Sequence, residues 1–146
     1  MFEFFKRKKS QKHKFEGEIA SLPADDPTLK TFTEEAQEGV QYLIDFMEKN
    51  RDEDPELFRY AIKTEFVEDE NSEHMWVQVT RCDDDIFYGR LANEPNTIKF
   101  IKYGDHIEVH REHVEDWILQ DFLTKTEVGG FSRDYLRDKG KIKENE

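Results

Sequence analysis

Three histidines stand close together in DHIEVHREH, at His106, His110 and His113, with Asp105 and Glu112 beside them. On a strand, His106, Glu108 and His110 share one face, and two imidazoles with a carboxylate can bind zinc. An exposed strand face in a polar protein collects the same residues by composition alone, so no metal is assigned. Cys82 is the only thiol. It lies beside Asp83, whose negative charge raises a thiol pKa and opposes nucleophilic use. No G-x-S-x-G elbow, G-x-G-x-x-G loop or Walker A loop is present, so acyl transfer and nucleotide binding lack their usual frames, and no cofactor is assigned. Carboxylates are too common to be informative in pairs. Two stand in defined places: Glu94 in an Asn-Glu-Pro turn and Asp116 before Trp117. With His74 they are the residues of an enzyme alternative whose reaction the sequence does not name.

The elements that must position these groups follow from periodicity. Pro27 suits the first turn of a helix behind an Asp26 N-cap. Leu29, Phe32, Ala36, Val40, Leu43 and Met47 then recur at three and four residues, which predicts an amphipathic helix to about Asn50. Gly39 interrupts it with a residue that favours a bend. Leu57–Phe66 alternates as a strand, and Val67–Ser72 reads as an acidic hairpin loop. In His74–Arg81, Met75, Val77 and Val79 point one way and Trp76, Gln78 and Thr80 the other. Cys82–Asp85 reads as a turn and Ile86–Ala92 as the paired strand, with Gly89 marking a bulge or a close backbone neighbour. Asn93–Asn96 ends that strand at Pro95. Thr97–Tyr103 fits either a short strand or a helical turn. After a Gly104–Asp105 turn, His106–His110 alternates with Ile107 and Val109 inward. Val114, Trp117, Ile118 and Leu119 begin a last apolar run. Thr124–Phe131 reads as an edge strand interrupted at Gly129-Gly130, and Ser132–Arg137 as a helical turn capped by Ser132.

The order EHMWVQV, FYGRLANEP, KYGDHIEV, VEDWIL, VGGFS resembles the YegJ-like bacterial family, a domain of unknown function. The resemblance covers about residues 26–137. Two places depart from it: Gln120–Leu123, where the family has a short polar hairpin, and the charged ends. The resemblance implies a fold and a bacterial origin, and it brings no catalytic residues. Domains similar to this family also stand near toxin–immunity loci, which implies by analogy an acidic protein that neutralises a basic one.

The expected architecture is α+β: the N-terminal helix packs on an antiparallel sheet of about five to six strands, which Gly-marked bends could curl into a half-open SH3-like barrel. Residues 1–25 form a basic segment and linker, 26–137 one domain, and 138–146 a charged tail. A chain of 146 residues suffices for a core, burying roughly 68–70% of its unfolded surface. The 12 phenylalanines make that core aromatic. A single cysteine excludes an internal disulfide and fits a reducing cytoplasm. No apolar run is long enough for a membrane span, and the N-terminus has no apolar signal core.

Net charge is −12. Residues 1–14 hold six Lys or Arg and one acidic residue, so the remainder holds 16 basic and 33 acidic residues, or −17. A body this acidic repels phosphate, which argues against nucleic acid, and speeds encounter with a basic protein. Phe2, Phe4 and Phe5 before Lys6–Lys9 could touch an anionic membrane surface, although a solvated terminus is the preferred reading. The expected function is therefore non-catalytic protein binding. Trp76, Tyr88, Asn93, Glu94, Asp105, Asp116 and Trp117 are the candidate binding residues. With Tyr103, the rings of Trp76, Tyr88 and Trp117 would form an aromatic patch with an acidic rim.

Overall fold

Helix α1 (Pro27–Lys49) buries Ala36, Val40, Leu43 and Met47 and leaves Glu34, Glu35, Glu38 and Glu48 in water, as the spacing requires. Burying Leu43 alone contributes about 2–3 kcal/mol. The helix ends where the Asn50 side chain donates to Phe46 O at 2.9 Å and the Asn50 N–H donates to the same carbonyl at 3.1 Å. It runs through Gly39 without interruption. A Cβ there would come within 3.2 Å of Trp117 Cζ2, so the small residue admits a ring. The computed structural model describes residues 27–133; the expected Asp26 cap, the segments 1–25 and 138–146 and most of the Ser132–Arg137 turn lie outside them.

Six strands follow: β1 (Phe58–Glu68), β2 (Asn71–Asp83), β3 (Ile86–Leu91), β4 (His106–His110), β5 (Asp116–Asp121) and β6 (Thr126–Gly129). They form one antiparallel sheet in the order β4-β3-β2-β1-β5-β6. The sheet stays open, with β4 and β6 as its edges, so the barrel curl allowed by the glycines does not close. The expected α+β class stands: one helix on a six-stranded open sheet.

Turn chemistry sets the hairpins. Val67–Ser72 is not a loop: β1 and β2 zip up to the pair Glu68↔Asn71, leaving only Asp69 and Glu70 between them. The β2–β3 turn is likewise shorter than Cys82–Asp85. Asp84 and Asp85, at φ 52° and 65°, carry it alone. Both central residues at positive φ are what a tight two-residue hairpin asks for, and Asp tolerates that conformation. Gly89 sits against a register shift between Val79 and Arg81, where a Cβ would lie 2.0 Å from Gln78 O. Of the two alternatives read at Gly89, a bulge or a close backbone neighbour, the neighbour is Gln78, and the bulge lies opposite, at Thr80 of β2. Thr97–Tyr103 is neither strand nor helix but part of an irregular connection from Ala92 to Asp105. The last strand ends at Gly129, since Gly129 and Gly130 lie at φ 95° and 75° and turn the chain away.

The face under α1 carries the main core: Ile62, Met75, Val77, Val79, Phe87, Leu91, Ile107, Val109, Trp117 and Leu119. The opposite face carries a smaller buried cluster of Ala61, Trp76, Ala92 and Ile118.

Candidate functional site

On the face away from α1, register aligns Trp76, Lys63 and Asp116 across β2, β1 and β5. All three are buried. The Lys63 ammonium lies 5.8 Å from the centre of the Trp76 ring and donates to Ser132 Oγ at 3.3 Å. The Ser132 hydroxyl donates onward to Asp116 Oδ2 at 2.6 Å. The Ser132 N–H donates to the same oxygen at 2.9 Å, and the Phe131 and Trp117 N–H groups donate to Oδ1 at 2.9 and 2.8 Å. A serine between a lysine and an aspartate resembles a nucleophile with its base. Here, however, the hydroxyl is 3% exposed and its acceptor already takes two protein donors per oxygen. The arrangement holds the chain leaving β6 onto the sheet and has no face for a substrate.

Glu73 does the same for the Ala92–Asp105 connection. Its carboxylate accepts from the N–H groups of Asn96 and Ile98 at 3.0 Å, from the Thr97 N–H, and from the Thr97 hydroxyl at 2.7 Å. Burial pushes this carboxyl up, but the hydrogen bonds from Thr97, Asn96 and Ile98 outweigh it and hold it below the ordinary value. Asn93, fully buried and two residues past the end of β3, accepts from the Trp76 N–H at 2.7 Å, so a side chain continues the ladder.

The candidates singled out from sequence therefore separate. Trp76, Asn93 and Asp116 lie together on the buried side of the sheet away from α1. Trp117 is on the other face, where its Nε1–H donates to Ala36 O at 3.1 Å. Tyr88 packs under the Arg81 guanidinium at 3.8 Å. Glu94 is exposed. Asp105 closes a turn, accepting from the Lys102 N–H at 3.0 Å. With Trp76 and Trp117 0% and 1% exposed on opposite faces, the four rings make no common exposed patch. Alternation along a strand separates its two faces but does not say that both are covered.

His106 stands next to Glu108 at 3.4 Å, whereas the His110 and His113 rings meet edge to face with centres 6.4 Å apart. Among the described residues no three ligating side chains converge. The Cys82 thiol is pushed up, first by burial and then by Asp85 and Asp83, with Arg111 partly opposing them. The Tyr60 hydroxyl is pushed up to about 12 by burial and by Asp121. It borders a cleft of about 100 Å³ at the C-terminal end of α1.

A larger feature was not singled out from sequence. β5 stops pairing with β1 at Lys63↔Asp116, but β1 runs on to Glu68. The β4–β5 crossover bends in beside it. It is fixed by Thr64 Oγ1 donating to His113 O at 2.8 Å and by the Gln37 amide donating to Arg111 O and Val114 O at 2.9 and 2.7 Å. Between crossover, β1 and β4 lies an open groove of about 580 Å³. Glu65, Glu108, Glu112 and Glu115 line it, with His110 and His113 and no lysine or arginine. Glu115 also reaches across β1, where its Oε1 lies 2.7 Å from His74 Nδ1. This pair, both members about a quarter exposed, raises the imidazole pKa; the hydrogen bond leads, burial opposes it, and the charges of Glu115 and Glu65 assist. The sequence marks one wall, the DHIEVHREH stretch weighed for metal, but not its meeting with Glu65 on β1, which lies more than forty residues earlier in the chain.

Fold and site together define an α+β protein with one helix on an open antiparallel sheet and an acidic groove at the end of the crossover. The chain belongs to the family described as uncharacterized proteins conserved in bacteria (DUF2314), whose model matches residues 26–146. It is similar to the uncharacterized protein YegJ of Escherichia coli (strain K12), 22% identical over 94 residues. That match covers 64% of this chain and 58% of the relative's length. No solved structure matches. No helix among the described residues is long and apolar enough to cross a membrane.

Proposed function

We propose that this protein acts by binding rather than by catalysis, that its partner is a basic polypeptide, and that it works in the cytoplasm. The observation that carries the reading is the open groove, with four glutamates and no lysine or arginine in its lining. Desolvated carboxylates facing arginine or lysine give specificity, and the −12 net charge speeds the encounter. The best-placed alternative catalytic carboxylate, Asp116, is saturated by four donors from its own chain. Immunity-like neutralisation of a basic protein is the finer form of this reading.

The test compares the protein with a Glu108→Lys/Glu112→Lys variant as affinity baits over a salt series. Both side chains are exposed, so the fold tolerates the change. One basic protein held by the first bait, released by salt and absent from the second, is expected. Equal capture by both baits, or capture of acidic proteins alone, refutes the proposal.

A further inference from the structure

Backbone donors and acceptors alternate sides along a strand. Just before β1, Leu57 O accepts from the Phe122 N–H at 2.9 Å, and within it Lys63 O accepts from the Glu115 N–H at 2.8 Å. The odd-numbered residues therefore turn their N–H and C=O groups toward β5, and the even-numbered ones toward β2. Beyond Lys63 the pairing with β5 stops and the crossover last bonds β1 at the Thr64 hydroxyl, while the pairing with β2 continues to Glu68↔Asn71. Glu65, which lines the groove, and Val67, just beyond it and 59% exposed, thus turn two N–H and two C=O groups to the side that β5 no longer covers. A strand edge of this kind is a template for another chain.

The rim selects the occupant. Glu65 stands on the edge itself and Glu115 and Glu112 beside it, so a second copy of this acidic chain would bring glutamate against glutamate. A basic chain meets the opposite sign. An added strand also alternates, so its side chains on one face meet Glu65 and Glu115, and those on the other face meet Thr64 and Phe66 below α1. We propose that the β1 edge at Glu65 and Val67 is a strand-addition site, in which an extended polypeptide with lysine or arginine at alternate positions occupies the lane that β5 leaves empty. This rests on the basic-partner reading and adds its mode of recognition. Main-chain pairing supplies attachment, and the alternating basic pattern supplies selectivity.

The probe is the hexapeptide Lys-Val-Lys-Val-Lys-Val, titrated into the full chain and followed by amide NMR. Parallel titrations use the same peptide N-methylated at alternate amides, which keeps its charge but cannot pair, and spermine, a cation without a backbone. The expected result is that the Glu65 and Val67 amides shift and that N-methylation weakens binding roughly tenfold, the effect of losing one or two hydrogen bonds. Val67→Pro removes an outward N–H without touching the bonds of Phe66 and Glu68 to β2, and should weaken binding similarly. Equal binding of both peptides, or shifts that spare Glu65 and Val67, overturns strand addition and leaves the basic-partner reading standing. If neither the peptides nor spermine binds, both fall together.

Discussion

Removing the Asp116 carboxylate separates a structural role from a functional one. In Asp116→Ala, Phe131 N–H, Ser132 N–H and the Ser132 hydroxyl lose the buried acceptor they share. The Trp117 N–H loses a local one. A buried donor left unpaired costs about 1–3 kcal/mol, more where the lost acceptor was charged. Taking the three non-local donors at the lower half of that range gives about 4 kcal/mol. For a domain of this size that lowers Tm by roughly 12–20 °C. Asp116→Asn keeps one acceptor oxygen but sets an amide N–H against the Ser132 donors, so about 2–3 kcal/mol is expected. Urea unfolding followed by fluorescence suits the question, because Trp76 and Trp117 report on opposite faces of the sheet. Amide exchange at Phe131 and Ser132 should rise in both variants before global unfolding does. An Asp116→Ala protein within about 1 kcal/mol of the parent would refute the reasoning. It would show that the carboxylate does not anchor this turn and return Asp116 to the list of functional candidates.

Three further outcomes follow from the same geometry. The Glu73 carboxyl is held below its ordinary value of 4.5 in the fold. Its contribution is therefore full above the unfolded pKa and lost as pH falls through the folded one; Glu73→Gln should flatten acid unfolding below about pH 4.5 and speed exchange at Asn96–Ile98. The His74 imidazole is held above 6.5, so the His74–Glu115 pair stabilises fully below that value and its contribution, on the order of 1 kcal/mol, disappears as pH rises through the folded pKa. An NMR titration of His74 that gives an ordinary value, or one unmoved by Glu115→Gln, contradicts this. Gly89→Ala would drive a methyl into the Gln78 carbonyl and should cost about 3 kcal/mol by denaturation; a loss under 1 kcal/mol would show that the β2–β3 hairpin relaxes easily.

Much of the scaffold is legible in the chain because it depends on local period. The α1 stripe, the inward Met75, Val77 and Val79, and the inward Ile107 and Val109 all lie where spacing puts them. Gly89 announces its close neighbour because only a missing Cβ permits it. The candidate site was less legible. Glu73 and Asp116 are two of 34 acidic residues, and nothing in composition distinguishes a saturated buried carboxylate from a solvated one. Thr97–Tyr103 resisted assignment because its order comes from the distant Glu73 rather than from its own repeat.

The sequence by itself determined the helix, the strands with a clear alternation, the class of fold and the acidic character, since these follow from local period and composition; the exact turns at 69–70 and 84–85 came from pairing. Tertiary structure alone decided that β5 returns beside β1 rather than beside β4. From that position Trp117 reaches α1 and bonds Ala36. The same return leaves the end of β1 without a neighbour, so the groove and its open backbone edge arise from where strands stop, which no local pattern encodes.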